Sequence, residues 1–155
     1  MSTLLAVDAG IRAGLASYGG DGRLRWYRSR NYGSRSRLRK AARGLLRETP
    51  DLSVVVVEGG GPPADAWLRE AERVGVEARR VDARTWRERL LLPRDRRSGV
   101  VAKEQADRLA RRVIDWSGAP RPTSLRHDAA EAILVGLWGV LEAGWLLDLP
   151  RELKA

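Results

Sequence analysis

Residues 52–63 read LSVVVVEGGGPP, and the architecture of the chain follows from this run. Four consecutive valines are typical of a strand that is buried on both faces, and such a strand needs helices on each side of its sheet. Glu58 ends the valines, three glycines follow, and the two prolines suit the first turn of a helix. The run therefore predicts the central strand of an α/β sheet, with a carboxylate where the chain leaves the core.

The residues before this run predict three strands and a helix. Residues 3–7 form a short apolar strand that is followed by Asp8. Two more strands flank the turn cluster GGDG at 19–22, whose glycines adopt positive φ at low cost. Over 34–48, leucines and alanines recur at helical spacing while arginines fill the other faces.

The residues after the run alternate helix and strand and then become helical. We predict a helix over 62–75, a fifth strand ending near Asp82, a short helix capped by Asp82 and reaching Leu90, a mobile basic loop over 93–99, a helix around 106–113, and a last helix from Asp128 to about Leu147. The predicted fold class is α/β, with a mixed five-stranded sheet and helices on both faces, and residues 1–155 fit a single domain.

Composition excludes several classes of protein. The chain has no cysteine, which removes disulfides, thiolate zinc sites and cysteine nucleophiles, and a serine-type triad could use only His127 as its base. The chain has 29 basic and 20 acidic residues, which give a formal net charge of +9, and 26 of the basic residues are arginine. GC-rich coding also produces an arginine excess. The net charge still favours a polyanionic partner, since guanidinium forks match phosphate oxygens.

No targeting segment is recognisable at the N-terminus, and the longest apolar run, residues 132–141, is half the roughly 20 residues that span a bilayer. We therefore expect a cytoplasmic protein with no membrane partner.

Acids stand at three places where burial would normally exclude them. Asp8 and Glu58 each close an apolar strand, while Asp128 and Glu131 share one face at the start of the most apolar helix. If the first and fourth strands are neighbours and this helix docks at the same edge, four carboxylates converge, and their repulsion needs a compensating cation. Oxygen donors favour Mg²⁺, with Mn²⁺ as a substitute, and two such ions about 4 Å apart suit phosphodiester hydrolysis.

Each acid also has a purely structural interpretation. Asp8 can start a turn, Glu58 can face water at a strand end, and the spacing of Asp128 and Glu131 fits a capping box. The order of the four acids along the chain favours a metal site instead.

This order, with Lys103-Glu104-Gln105 on the preceding helix, resembles the RuvC Holliday-junction resolvases of the RNase H-like superfamily. The similar segments are LLAVDAGIRAGLA at 4–16, VVVVEGG at 54–60 and HDAAEAILVGLWG at 127–139. The resemblance implies an RNase H-like fold and a homodimer, bacterial or phage-encoded, that cuts four-way DNA junctions. It also implies that Asp8, Glu58, Asp128 and Glu131 are catalytic ligands of two Mg²⁺ ions, with Lys103 near the scissile phosphate.

The chain departs from the family pattern at three points. Glu131 stands where the family more often has Asp, and it reaches one methylene further. No aromatic residue stands shortly after Glu58, at the place where many relatives carry one that wedges into the junction. His127 lies one position before the acid pair, and three roles stay open for it: contact with a metal-ligating residue, contact with a phosphate, or no role at the site.

Two arginine-rich segments, 21–50 and 79–97, flank the predicted acidic site and favour a track for a nucleic-acid backbone. The residues expected on this track are Arg35, Arg37, Arg39, Lys40, Arg84, Arg87, Arg94, Arg96, Arg97 and Lys103.

Three alternatives remain open. The segment DAGIRAGLA is also similar to RuvC-like nucleases that mature ribosomal RNA, so structured RNA is a second candidate substrate. A non-catalytic nucleic-acid-binding relative is another. An actin-like phosphotransferase is disfavoured, because 155 residues leave no room for a second nucleotide-binding half, and we expect no nucleotide cofactor.

Overall fold

The computed structural model describes residues 2–154, and five strands in this part of the chain form one mixed sheet. The strands are β1 (Thr3–Asp8), β2 (Arg12–Gly19), β3 (Leu24–Asn31), β4 (Leu52–Glu58) and β5 (Glu77–Val81). Their order is β3-β2-β1-β4-β5. The hairpin strands pair antiparallel with each other and with β1, whereas β4 runs parallel to both β1 and β5. The predicted α/β class and mixed five-stranded sheet are confirmed.

The helices are α1 (Arg35–Glu48), α2 (Gly61–Arg73), α3 (Ala83–Leu90), α4 (Gly99–Ser117) and α5 (His127–Glu142), with 3₁₀ turns at Pro93–Arg96 and Arg151–Leu153. Side-chain caps begin three of them, because Ser34, Asp82 and Ser98 each accept a hydrogen bond from the backbone N–H three residues later. The predicted basic loop over 93–99 thus contains a short 3₁₀ turn.

The last helix differs from its prediction at both ends. It begins after Arg126, so Asp128 lies inside the first turn and is not the N-cap that a capping box requires. It ends at Glu142 and not near Leu147. Gly144 has φ 77°, and the N–H groups of Gly144 and Trp145 bond the carbonyls of Leu141 and Val140, which is a Schellman ending.

The four valines alternate between the two faces of the sheet. Val55 and Val57 pack with residues of α1 and α2, including the fully buried Trp67, whereas Val54 and Val56 pack with α4 and α5. This arrangement confirms that helices cover both faces of the central strand.

Glycines let α5 lie directly on the sheet. A Cβ at Gly136 would be 2.2 Å from the ring of Tyr18, and one at Gly139 would be 2.9 Å from a methyl group of Val56. The Tyr18 hydroxyl donates to the carbonyl of Ile133 on the same helix. These contacts leave α5 buried along most of its length.

None of the helices within residues 2–154 is long and apolar enough to cross a membrane.

Candidate active site

Asp8 and Glu58 lie side by side at the end of the two central strands. They are register partners, since β1 and β4 are parallel and each strand ends at its acid. The Ala9 N–H donates to the Glu58 carbonyl at 2.9 Å, and the carboxyl of Asp8 is within hydrogen-bonding reach of the carboxyl of Glu58. Gly59 follows with φ 118°, a conformation that favours glycine and lets the chain turn away from the sheet.

A glycine on β2 brings the first turn of α5 to these two acids. Gly14 pairs with Asp8, and a Cβ at Gly14 would be 1.8 Å from the carbonyl oxygen of Asp128. Any larger residue would therefore push the helix away. One carboxylate oxygen of Asp128 accepts from the Ser29 hydroxyl on β3 and from the Ala129 N–H at 2.8 Å. The docked helix thus places Asp128 beside the ends of the strands.

Glu131 lies about one turn further along α5 and is only 5% exposed. Its Oε1 is 2.9 Å from Nη2 of Arg87 on α3 and 3.0 Å from Nε2 of His127. Its Oε2 is buried and has no hydrogen-bond partner among the described residues. Of the roles that the sequence left open for His127, the structure shows a contact with a predicted metal-ligating residue, since its ring contacts the carboxylate of Glu131.

The four carboxylates act on one another electrostatically. The pKa of Asp8 is raised to about 8, first by burial, then by the charge of Glu58 and a hydrogen bond with it, and further by the charges of Glu131 and Asp128. Burial also raises the pKa of Glu131, which Arg87 and His127 partly oppose. The charges of Glu58, Glu131 and Asp128 thus all reach Asp8.

The donor chemistry of this cluster fits a hard divalent cation. Four carboxylates act on one another here, and Oε2 of Glu131 is buried without a hydrogen-bond partner in the described residues. Such an oxygen can serve as a ligand for a hard cation. Within residues 2–154, however, no three His, Asp or Glu side chains are already arranged as a coordination shell. Glu131 faces Arg87 and Asp128 faces Ser29. The residues present can supply the ligands, but these two side chains would have to turn.

The predicted cationic residues are distributed over several elements. Lys103 is exposed on α4 and makes no hydrogen bond or ion pair with the four acids in the described part of the chain. The four predicted track residues that lie on α1 are exposed: Arg35, Arg37, Arg39 and Lys40. Arg84 pairs with Glu88, Arg94 lies 3.9 Å from Asp95, Arg96 bonds the carbonyl of Leu91, and Arg97 is exposed.

Arg87 differs from the other members of the predicted track. Its side chain is 26% exposed, and its guanidinium pairs with Glu131 and lies 5.2 Å from the ring centroid of Trp86. The sequence grouped Arg87 with surface cations because it belongs to an arginine-rich segment, which cannot reveal a partner 44 positions away.

A cavity beside Asp128 contains cations that the sequence analysis did not single out. Its volume is about 260 Å³, and its lining residues are Arg12, Ser29, Arg30, Asn31, Arg126 and Asp128. The three arginines are exposed, and no ion pair involves them within residues 2–154. The turn at 19–22 did not reveal this cavity, because an irregularity between Ser17 and Tyr18 shifts the hairpin register by one residue and so places Ser29 opposite Gly14 and Asn31 opposite Arg12.

The sheet order and the acidic strand ends define an RNase H-like α/β fold. Among solved structures, the chain is similar to T. thermophilus RuvC in complex with Holliday junction substrate, with a TM-score of 0.69, 18% identity, and coverage of 97% of this chain and 99% of that chain. A weaker likeness is to the catalytic core domain of BIV integrase, with a TM-score of 0.36, 11% identity, and coverage of 86% and 80%. No family model and no curated protein matches the sequence. The chain therefore has a RuvC-like fold, as its motifs predicted.

Proposed function

We propose that this protein is a metal-dependent, structure-selective endodeoxyribonuclease that resolves four-way DNA junctions. The observation that carries the proposal is the meeting of Asp8, Glu58, Asp128 and Glu131 at one edge of a RuvC-like sheet. A solved structure with the same fold contains RuvC with a Holliday junction substrate, which supports branched DNA as the ligand class.

The four acids would hold two Mg²⁺ ions, for which Mn²⁺ would substitute. When bound, such ions supply Lewis acidity that activates water and offsets charge on the leaving oxygen of a phosphodiester. Because burial and, after it, the neighbouring carboxylates raise the pKa of Asp8 to about 8, this group would give up its proton as a cation arrives. Gly14 would let the first turn of α5 approach the sheet closely enough for Asp128 to take this role.

The cationic residues would hold the DNA backbone. Arg12, Arg30 and Arg126 surround a cavity next to Asp128, where unpaired guanidinium groups suit phosphate oxygens. Lys103 would lie near the scissile phosphate and offset the charge that develops in the transition state. A homodimer would supply two symmetry-related cuts across a twofold junction.

The direct test is nicking of a synthetic four-way junction in the presence of Mg²⁺. The wild-type protein should cut it, and Asp8→Asn should not. The matched control is Asp115→Asn, which makes the same change at an exposed carboxylate of α4 paired with Arg121. Equal cleavage by wild type and Asp8→Asn would refute the proposal.

The same assay separates the two other candidates. Faster cleavage of structured RNA than of junction DNA would assign the site to RNA processing. Junction binding with a steep salt dependence, but without Mg²⁺-dependent cleavage, would indicate a non-catalytic binding protein. One observation favours this last candidate, namely that the carboxylate of Glu131 is already paired with the guanidinium of Arg87.

A further inference from the structure

The carboxylate of Glu131 already has a cation beside it. Nη2 of Arg87 lies 2.9 Å from Oε1, within a part of the fold where the Glu131 side chain is almost fully buried. The guanidinium group stays protonated at any working pH, so it cannot be neutralised in place. A divalent ion that binds Glu131 must therefore either displace Arg87 or lie close to its positive charge.

The position of Arg87 is built into the fold. Asp82 caps α3 through the Thr85 N–H at 2.7 Å, and the fully buried Trp86 anchors the helix in the core. The Arg87 guanidinium lies near the Trp86 ring, and its Nε is buried and has no hydrogen-bond partner within residues 2–154. The side chain is thus directed inward at Glu131, whereas Arg84, one turn earlier, is exposed.

The other oxygen of Glu131 is free. Oε2 is buried and has no partner in the described residues, which is costly for a carboxylate oxygen unless a ligand completes it. At Glu131, therefore, one carboxylate oxygen is available to bind a cation, while the other is paired with Arg87, whose positive charge opposes that binding.

We infer that Arg87 occupies the place of one divalent cation at Glu131, so that the free protein binds its first ion through Asp8, Glu58 and Asp128, and a second ion binds well only after Arg87 leaves Glu131. This inference rests on the proposed function, since it concerns the same metal site. Arg87 is accordingly a positioning residue that controls how many ions the acids hold.

The experiment counts Mn²⁺ ions bound by the full chain without DNA, using the electron paramagnetic resonance signal of free Mn²⁺. Arg87→Gln removes the charge and keeps an amide that can donate to Glu131. Arg84→Gln is the matched control, because it makes the same charge change on the same helix at an exposed position. We expect the second ion to bind at least tenfold more tightly in Arg87→Gln than in wild type, with no such gain in Arg84→Gln.

A double variant tests the route of the effect. Because the gain requires a released Glu131, it should disappear in Arg87→Gln combined with Glu131→Gln. An equal gain in Arg87→Gln and Arg84→Gln would overturn the inference, since a general change of charge would then explain it. No gain in a folded Arg87→Gln protein would also overturn it.

Glu131→Gln alone provides a test if Arg87→Gln fails to fold. Glutamine still accepts from Arg87, and the first ion should bind within twofold of its wild-type affinity, whereas a tenfold loss would overturn the inference. Failure of the proposed function is distinguishable. If the variants change Mn²⁺ binding as expected but the wild-type protein never cuts a junction, the nuclease proposal is refuted and the inference about Arg87 stands. If the wild-type protein binds no Mn²⁺, the nuclease proposal and the inference are both refuted.

Discussion

Asp8→Asn should make the metal-free protein more stable at alkaline pH. The pKa of Asp8 is raised to about 8 by burial and by the charges of Glu58, Glu131 and Asp128, against 3.8 for an ordinary aspartate. A carboxyl with a raised pKa in the folded state contributes stability that is fully present below the unfolded pKa and is lost as pH rises through the folded value. The wild-type free energy of unfolding should therefore fall between pH 4 and pH 8.

The size of this loss follows from the pKa. Between the two pKa values, folded Asp8 keeps its proton while the unfolded chain has released it. The free energy of unfolding then falls by about 1.4 kcal/mol for each pH unit, which gives an upper limit of about 6 kcal/mol for the whole interval. Asp8 is partly exposed, and solvent screens its interactions with the other acids, so we expect about half of this limit. Asparagine is neutral at every pH and can donate to Glu58 as protonated Asp8 does.

Urea denaturation in EDTA between pH 4 and pH 9 measures this difference. The gap between Asp8→Asn and wild type should widen by about 3 kcal/mol in favour of the variant, whereas Asp115→Asn should follow wild type. Excess Mg²⁺ at pH 8 should close most of this gap, since a ligand at a hundred times its Kd adds about 2.7 kcal/mol to the protein that binds it. If the difference in free energy of unfolding between Asp8→Asn and wild type does not change with pH, burial and the other acids do not raise the pKa of Asp8.

Two further predictions concern the residues that surround the acids. Gly14→Ala should lower the free energy of unfolding by about 3 kcal/mol and weaken Mn²⁺ binding, because its Cβ would meet the Asp128 carbonyl. Gly44→Ala should instead stabilise α1 by about 0.5–1 kcal/mol, because a Cβ there would have open space within residues 2–154. Thermal and urea unfolding check both signs, and a Gly14→Ala protein as stable as wild type would contradict the close approach. Arg30→Gln should reduce the slope of log K against log salt for junction binding by about 1, and Arg73→Gln, an exposed arginine at the far end of α2, should leave it unchanged. Equal slopes in fluorescence anisotropy titrations would exclude a phosphate contact at Arg30.

Local pattern was sufficient for the central strand and for two of the acids. Four valines in a row can bury both sets of side chains only inside a two-faced sheet, and a parallel β1–β4 pair must bring Asp8 and Glu58 to the same edge. The end of α5 could not be predicted in this way, because Trp145, Leu146 and Leu147 continue the apolar pattern beyond the Schellman ending at Gly144. Apolar periodicity reports burial, and these residues include two that pack on the core without being helical.

The chemistry of the site depends on tertiary contacts that no spacing reveals. Gly14 looks like an ordinary strand residue until α5 is docked against it, and only then does its missing side chain set how closely Asp128 approaches Asp8. Arg87 likewise looks like one more surface cation, although the docking of α3 beside α5 turns it toward Glu131. The sequence determines which acids can meet, whereas the packing of two helices determines which of them is free to bind a cation.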